Sequence, residues 1–208
     1  VDEDTRSDQS PVAALALVPV KSLREAKRRL SPRLDPRQRA DLARTMAEIV
    51  LDATAGVPSA VVCDDEEVAD WARSRGAAVV WTPGLGLNGA LDFAVTRAAG
   101  AGIERVVIVH ADLPFARDLA RFAVVEAPGE VVLVPDRHSD GTNVLAMDPR
   151  EAIPLGYGAG SFERHRRAAQ AAGLPVRVIR DEALSWDVDG PDDLTPPPSL
   201  GALPMEVV

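Results

Sequence analysis

Short apolar runs rich in Val and Ile alternate along the chain with longer stretches in which apolar residues recur every three or four positions. The runs predict strands at residues 13–20, 59–63, 78–82 and 105–110. The last is nearly all valine and isoleucine, as a strand buried on both faces requires. Between the first two, Asp35 and Pro36 form an N-cap and first-turn pair, and Leu42, Met46, Ile49, Val50 and Ala53 then repeat at helical spacing up to about Gly56. A second helix is expected over residues 66–75, with Gly76 suited to a left-handed cap. A third opens from the loop 83–88 and runs through Ala99.

The second half is less regular. Strands are predicted at 130–134, 143–147 and 176–179 and a helix at 161–172, and strands so close in sequence are candidates for antiparallel pairing. The whole reads as α/β: one domain of three layers, α/β/α, around a mixed but mostly parallel sheet of Rossmann-like kind. Ligands in such sheets bind at the carboxyl ends of the strands. The domain is expected over residues 12–195, with a disordered terminus at 1–11 and a flexible Pro-rich tail at 196–208.

Composition adds three points. Apolar content of 46% with 4% aromatics fits buried strands under Ala-rich helices better than a β-sandwich. A net charge of −9 speaks against general nucleic-acid binding. Yet residues 21–44 hold nine cations against three acids, which suits a small polyanion as well as it suits a solvated helix face. Cys63 is the only cysteine, so neither an internal disulfide nor a cysteine-based zinc site is available. With no membrane-length apolar run and no signal-peptide pattern, the expected location is cytoplasmic, with no membrane partner.

Four strand-end loops carry unusual polar chemistry: residues 21–29, 83–89, 110–114 and 186–189. The first sets cations directly after a buried strand, where a triphosphate needs them. Asp112 lies just past the fourth strand, and Asp187 and Asp189 recur later. Magnesium takes one or two carboxylates and completes its shell with phosphate oxygens and water. Each acid also has a plain turn-capping role open to it. The segment Asp140-Gly141-Thr142-Asn143 reads as a hairpin turn or as an anion-binding turn, and Gly156 to Ser161 as a flexible loop capped by Ser161 or as an anion site at a helix start. Gly84, Gly86 and Gly89 match GxGxxG, which keeps a nicotinamide or flavin oxidoreductase open as a rival, although the pattern follows the third strand instead of the first. A non-catalytic sensor of phosphate ligands is a second rival. His138 and His165 read as surface residues, and His110 as a shaper of the Asp112 loop.

Taken in order, these segments resemble the guanylyltransferases of deazaflavin coenzyme F-420 biosynthesis, within the wider group of nucleotide-diphospho-sugar-transferase-like nucleotidyltransferases. The resemblance covers most of residues 13–195. It is carried by Leu17-Val18-Pro19-Val20-Lys21 with Ala26-Lys27-Arg28-Arg29-Leu30, by Leu87-Asn88, by Ala111-Asp112-Leu113-Pro114, by Asp140-Gly141-Thr142-Asn143, by Gly158 with Ser161, and by Asp187-Val188-Asp189 before Pro191-Asp192-Asp193-Leu194. His110 departs from the family pattern.

The resemblance implies transfer of GMP from GTP to a phosphorylated three-carbon acid: phosphoenolpyruvate, 2-phospho-L-lactate or 3-phosphoglycerate. The Ala, Arg, Gly and Pro bias suggests a GC-rich bacterial genome, where the resemblance implies that phosphoenolpyruvate is the commoner acceptor. It also implies that Val18, Pro19, Val20, Lys21, Lys27, Arg28, Gly86, Leu87 and Asn88 hold the nucleotide. Lys21, Lys27 and Asp112 would be catalytic, Asp112 with Asp187 or Asp189 would hold Mg2+, and Thr142, Gly158 and Ser161 would take the acceptor. Hand-off to a downstream phospho-acid transferase follows from the same resemblance.

Overall fold

The computed structural model describes residues 13–204; the N-terminal stretch expected to be disordered lies outside them. Seven strands are formed: β1 (Ala14–Pro19), β2 (Ser59–Cys63), β3 (Ala78–Trp81), β4 (Arg105–Val109), β5 (Val131–Pro135), β6 (Thr142–Met147) and β7 (Val176–Val178). The helices are α1 (Pro36–Ala53), α2 (Glu66–Ser74), α3 (Gly86–Gly100), α4 (Ser161–Ala171) and the single turn α5 (Glu182–Ser185). One sheet contains every strand, in the order β3-β2-β1-β4-β6-β5-β7. Neighbours from β3 to β4 are parallel, β6 runs antiparallel to both β4 and β5, and β7 is parallel to β5.

Alternation along each strand separates two cores. Val18, Val61, Val107, Val109, Val132 and Val134 face the side covered by α1 and α2. Leu17, Ala60, Val62, Val106, Ile108 and Leu133 face the side covered by α3 and α4. These are the three layers the apolar pattern calls for. A third cluster joins Leu30, Leu34, Leu42, Met46 and Val188, and Leu203 of the Pro-rich tail is buried in it.

Local chemistry fixes the element ends. Asp35 accepts from the Gln38 backbone N–H at 2.8 Å while Gln38 Oε1 accepts from Asp35 N–H at 2.9 Å. Such a capping box contributes about 1 kcal/mol. The β5–β6 hairpin turns on Asp136, whose carboxylate accepts the N–H groups of Asp140 and Gly141, both at 2.9 Å. The third helix begins inside the stretch that sequence pattern assigns to loop. Gly84 and Gly86 take positive φ of 74° and 64° and Gly89 already lies within α3, behind the edge strand β3. That is not the first βα turn a dinucleotide fingerprint occupies.

Strand order reverses at β1, which has β2 on one side and β4 on the other. A crevice therefore opens between the carboxyl ends of β1 and β4. The loops entering it are those of Lys21 to Arg29 and of Asp112.

Candidate active site

A cavity of about 960 Å3 runs along the carboxyl ends of the first four strands. Of the residues singled out from sequence, Pro19, Val20, Lys21, Lys27 and Arg28 line it from the β1 side. Gly86 and Leu87 line it from α3, and Asp112 and Asp189 close it on the β4 side. Val18 is wholly buried within β1 and does not reach it. Asn88, Thr142, Gly158, Ser161 and Asp187 are not on its wall. Cys63, expected as core, is buried, and it also lines the cavity.

Lys27 organises the crevice. Its Nζ donates to Asp112 Oδ2 at 2.7 Å and to Asp189 Oδ1 at 3.1 Å. To do so its backbone sits in the left-handed region, φ 54° and ψ 40°. That conformation costs a lysine about 1 kcal/mol or more and persists only where surrounding contacts enforce it. Burial alone would lower the ammonium pKa, but the two carboxylates outweigh it and hold it above the ordinary value. For Asp112 burial works upward and is overcome by Lys27, and then His110, so this carboxyl lies below the usual range. Val188 N–H donates to the Asp112 carbonyl at 3.2 Å, which pins the late loop to the β4 loop.

Two residues outside the candidate site set support that late loop: Asp193, part of the Pro191–Leu194 segment that carries the resemblance, and Arg137, which no sequence signal marks. Asp193 Oδ2 accepts the N–H groups of Asp189 and Gly190, both at 2.7 Å. Arg137 donates to the Asp187 carbonyl at 3.2 Å, pairs with Asp193, and lies 4.3 Å from the ring centroid of Trp186.

Asp112 Oδ1 is buried with no hydrogen-bond partner. Asp187 is pushed up to about 6, first by burial and then by the charges of Asp112 and Asp189. An orphaned carboxylate oxygen and a crowd of like charges both mark a place where a hard cation would be favourable, and the donors are all oxygen, as magnesium prefers. Among the described residues no three His, Cys, Asp or Glu side chains converge into a ready cage. The arrangement suits an ion that takes most of its ligands from phosphates and water.

A second polar cluster lies one layer deeper. His165, which sequence pattern places on the surface, is fully buried on α4. Gly156 N–H donates to its Nε2 at 3.0 Å, so the neutral ring carries its proton on Nδ1 and donates to Thr142 Oγ1, also at 3.0 Å. Ser161 Oγ is 3.4 Å from the same Thr142 oxygen. Of the two hydroxyl protons, one serves the pair and the other remains for an outside acceptor. Ser161 does not cap α4; that place is held by Gly160 at φ 72°. Asn88 clamps the adjoining loop, accepting from Tyr157 N–H at 2.7 Å and donating to its carbonyl at 3.3 Å. The Tyr157 ring lies 4.9 Å from that of His110, on the cavity wall, and 4.8 Å from that of His165.

His165 makes a pH prediction. Burial first, then Arg164 and His110, push it down from 6.5 to about 4. With the folded-state value depressed, its contribution to stability is complete above the unfolded value and is lost as pH falls toward 4. That loss amounts to about 3 kcal/mol at most. Urea midpoints at pH 7 and 4.5 should fall more for the parent than for His165→Gln; equal falls would contradict the assignment.

Against known proteins, the chain is 39% identical to the phosphoenolpyruvate guanylyltransferase of Sphaerobacter thermophilus, over 88% of this chain and 91% of that one. It is 34% identical to the 2-phospho-L-lactate guanylyltransferase of Methanothermobacter thermautotrophicus, over 86% and 81%. Among solved structures, a nucleotidyl transferase of the latter genus superposes with a TM-score of 0.62 at 17% identity, over 87% of this chain and 94% of that one, which shows a shared fold. The family profile described as "Guanylyl transferase CofC like" matches residues 14–196, and the chain belongs to that family.

Proposed function

We propose that the protein transfers GMP from GTP to the phosphate of a three-carbon phospho-acid, releasing pyrophosphate. Phosphoenolpyruvate is the first candidate acceptor, ahead of 2-phospho-L-lactate and 3-phosphoglycerate. The observation that carries this is the Lys27 ammonium fixed between Asp112 and Asp189 at the switch point of the sheet, with cations of the β1 loop on one side and the Thr142–Ser161 hydroxyls beyond. The cellular setting is coenzyme F-420 biosynthesis in the cytoplasm, with the labile product passed to a phospho-acid transferase. No helix among the described residues is long and apolar enough to cross a membrane.

The acceptor's phosphomonoester has a second pKa of about 6, so at neutral pH it attacks without a general base. Its oxygen bonds to the α-phosphorus of GTP, the bond from that phosphorus to the β-bridging oxygen breaks, and pyrophosphate leaves with the electron pair. The obstacle is repulsion between a dianion and a triphosphate. Magnesium held by Asp112 with Asp189 or Asp187 would supply charge neutralisation there. Lys27 offers an N–H to the phosphates from a position its two carboxylates already fix, and Lys21 and Arg28 add positive charge at the rim. The Thr142–Ser161 pair donates its spare proton to the acceptor carboxylate, once Tyr157 and the Gly158 loop give access.

Lys21 is exposed and has no partner among the described residues, so its role is with ligand and not with fold. Lys21→Ala should leave thermal stability unchanged and lower kcat/KM by about tenfold to a hundredfold, the worth of a charge-assisted contact. A variant that unfolds, or turns over like the parent, removes Lys21 from the site. The proposal as a whole is tested by pyrophosphate release over GTP, ATP and CTP against the three acids. GTP with one acid should stand out. Tight binding with no pyrophosphate from any pair, even with the next enzyme coupled, would leave a sensor.

A further inference from the structure

The cavity has two chemically different ends. Lys27, Asp112 and Asp189 make the β1–β4 end a place for phosphates. The opposite end, at β2 and β3, is framed by Val62, Cys63, Asp64, Thr82 and Leu87. Strands lie about 4.8 Å apart, so β4 and β2, whose carboxyl end carries Asp64, are separated by about 10 Å along the sheet edge. That matches the reach of a nucleotide from its α-phosphorus to the far edge of its base. The β2–β3 end is thus where a base would lie, with apolar side chains for its faces and one carboxylate for its edge.

That carboxylate is unexplained by folding. Four acids line the cavity: Asp112 and Asp189 hold Lys27, Glu25 pairs with Arg28 at 3.0 Å, and Asp64 has no ion pair or hydrogen bond among the described residues. The cap of α2 is supplied by the next residue, Asp65, which accepts from Val68 N–H at 3.1 Å. Guanine presents two adjacent donors, N1–H and the N2 amino group, spaced to meet the two oxygens of a carboxylate. Adenine turns an N1 lone pair to the same place and would be repelled.

We propose that Asp64 selects guanine, its carboxylate accepting from N1–H and the N2 amino group of the donor nucleotide. Because this presupposes GTP as the donor, the test separates the two. Calorimetric binding of GTP, ITP and ATP with magnesium and without acceptor is compared for the parent and Asp64→Ala, an exposed position where the fold is not at stake. Inosine keeps N1–H and lacks the amino group. The parent should bind GTP tightest, then ITP, then ATP. The variant should lose about tenfold to a hundredfold for GTP, less for ITP, and nothing for ATP, so that the GTP preference collapses. An equal loss for all three would place Asp64 on the ribose or phosphates, and unchanged GTP binding would give it no role; either overturns the inference alone. A parent that binds GTP no better than ATP overturns the choice of donor as well.

Discussion

Asp112→Asn is expected to slow pyrophosphate release by on the order of a hundredfold or more while leaving the fold in place. Asparagine keeps the shape of the side chain and an oxygen able to ligate. What it lacks is the charge that holds Lys27 at 2.7 Å and that would offset a divalent cation. The backbone bond from Val188 N–H to the residue 112 carbonyl survives, and Asp189 still pairs with Lys27, so the crevice has no reason to collapse. The rate should be followed against magnesium concentration for parent and variant, with circular dichroism as the control. A strong rightward shift or a loss of activity is expected. Were Asp112 only a turn cap, Asn would serve about as well and the two curves would superimpose.

Lys27→Ala should lower kcat/KM by about a hundredfold as well, since a fixed charge near the transferred phosphoryl group is lost. It differs from Asp112→Asn in its effect on the ligand-free protein. Removing the ammonium leaves Asp112 and Asp189 facing each other with Asp187 close by, and two charge-assisted hydrogen bonds are lost. One backbone residue is also released from a left-handed conformation that alanine tolerates no better. A net destabilisation of about 2 kcal/mol is expected. Magnesium should restore more thermal stability to this variant than to the parent, because it relieves the same repulsion. Parent-like turnover, or a loss of stability indifferent to magnesium, would show that Lys27 only braces the loop.

The sheet was legible because its strands obey simple rules. A β-branched run such as Arg105–Val109 has few alternatives to a doubly covered strand, and Asp35 before Pro36 announces a helix start that the capping box confirms. Asp112 was legible for a topological reason: a carboxylate just past a central parallel strand has the ligand crevice in front of it. Asp187 and Asp189 do not end a strand as the pattern led one to expect; they follow α5, and their loop is brought to the crevice by the bond from Val188 N–H to the Asp112 carbonyl.

What stayed hidden depends on distance in sequence. Nothing near Lys27 signals that its charge would be met by carboxylates 85 and 162 residues away. Nor does anything near Asn88 show that its amide would clamp a backbone 69 residues on. His165 carries a readable signal despite its polar ring. It falls on the inward stripe of α4 with Phe162 and Ala169, three and four residues away, and a histidine on such a stripe is buried with its ring. Leu203 gave no such sign, because its burial depends on a surface made by α1 and the loop before it.

The most direct measurement follows the α-phosphorus itself. Protein is incubated with magnesium, phosphoenolpyruvate and GTP labelled either at the α- or at the γ-phosphate, and the products are separated with and without the downstream transferase. Guanylyl transfer puts the α-label into an adduct that contains the acid, or into GMP once the downstream transferase has passed the phospho-acid on, and the γ-label into pyrophosphate, in equal amounts, and only when the acid is present. Labels that stay in GTP with every candidate acid, or a γ-label that appears as free phosphate beside GDP, would contradict it.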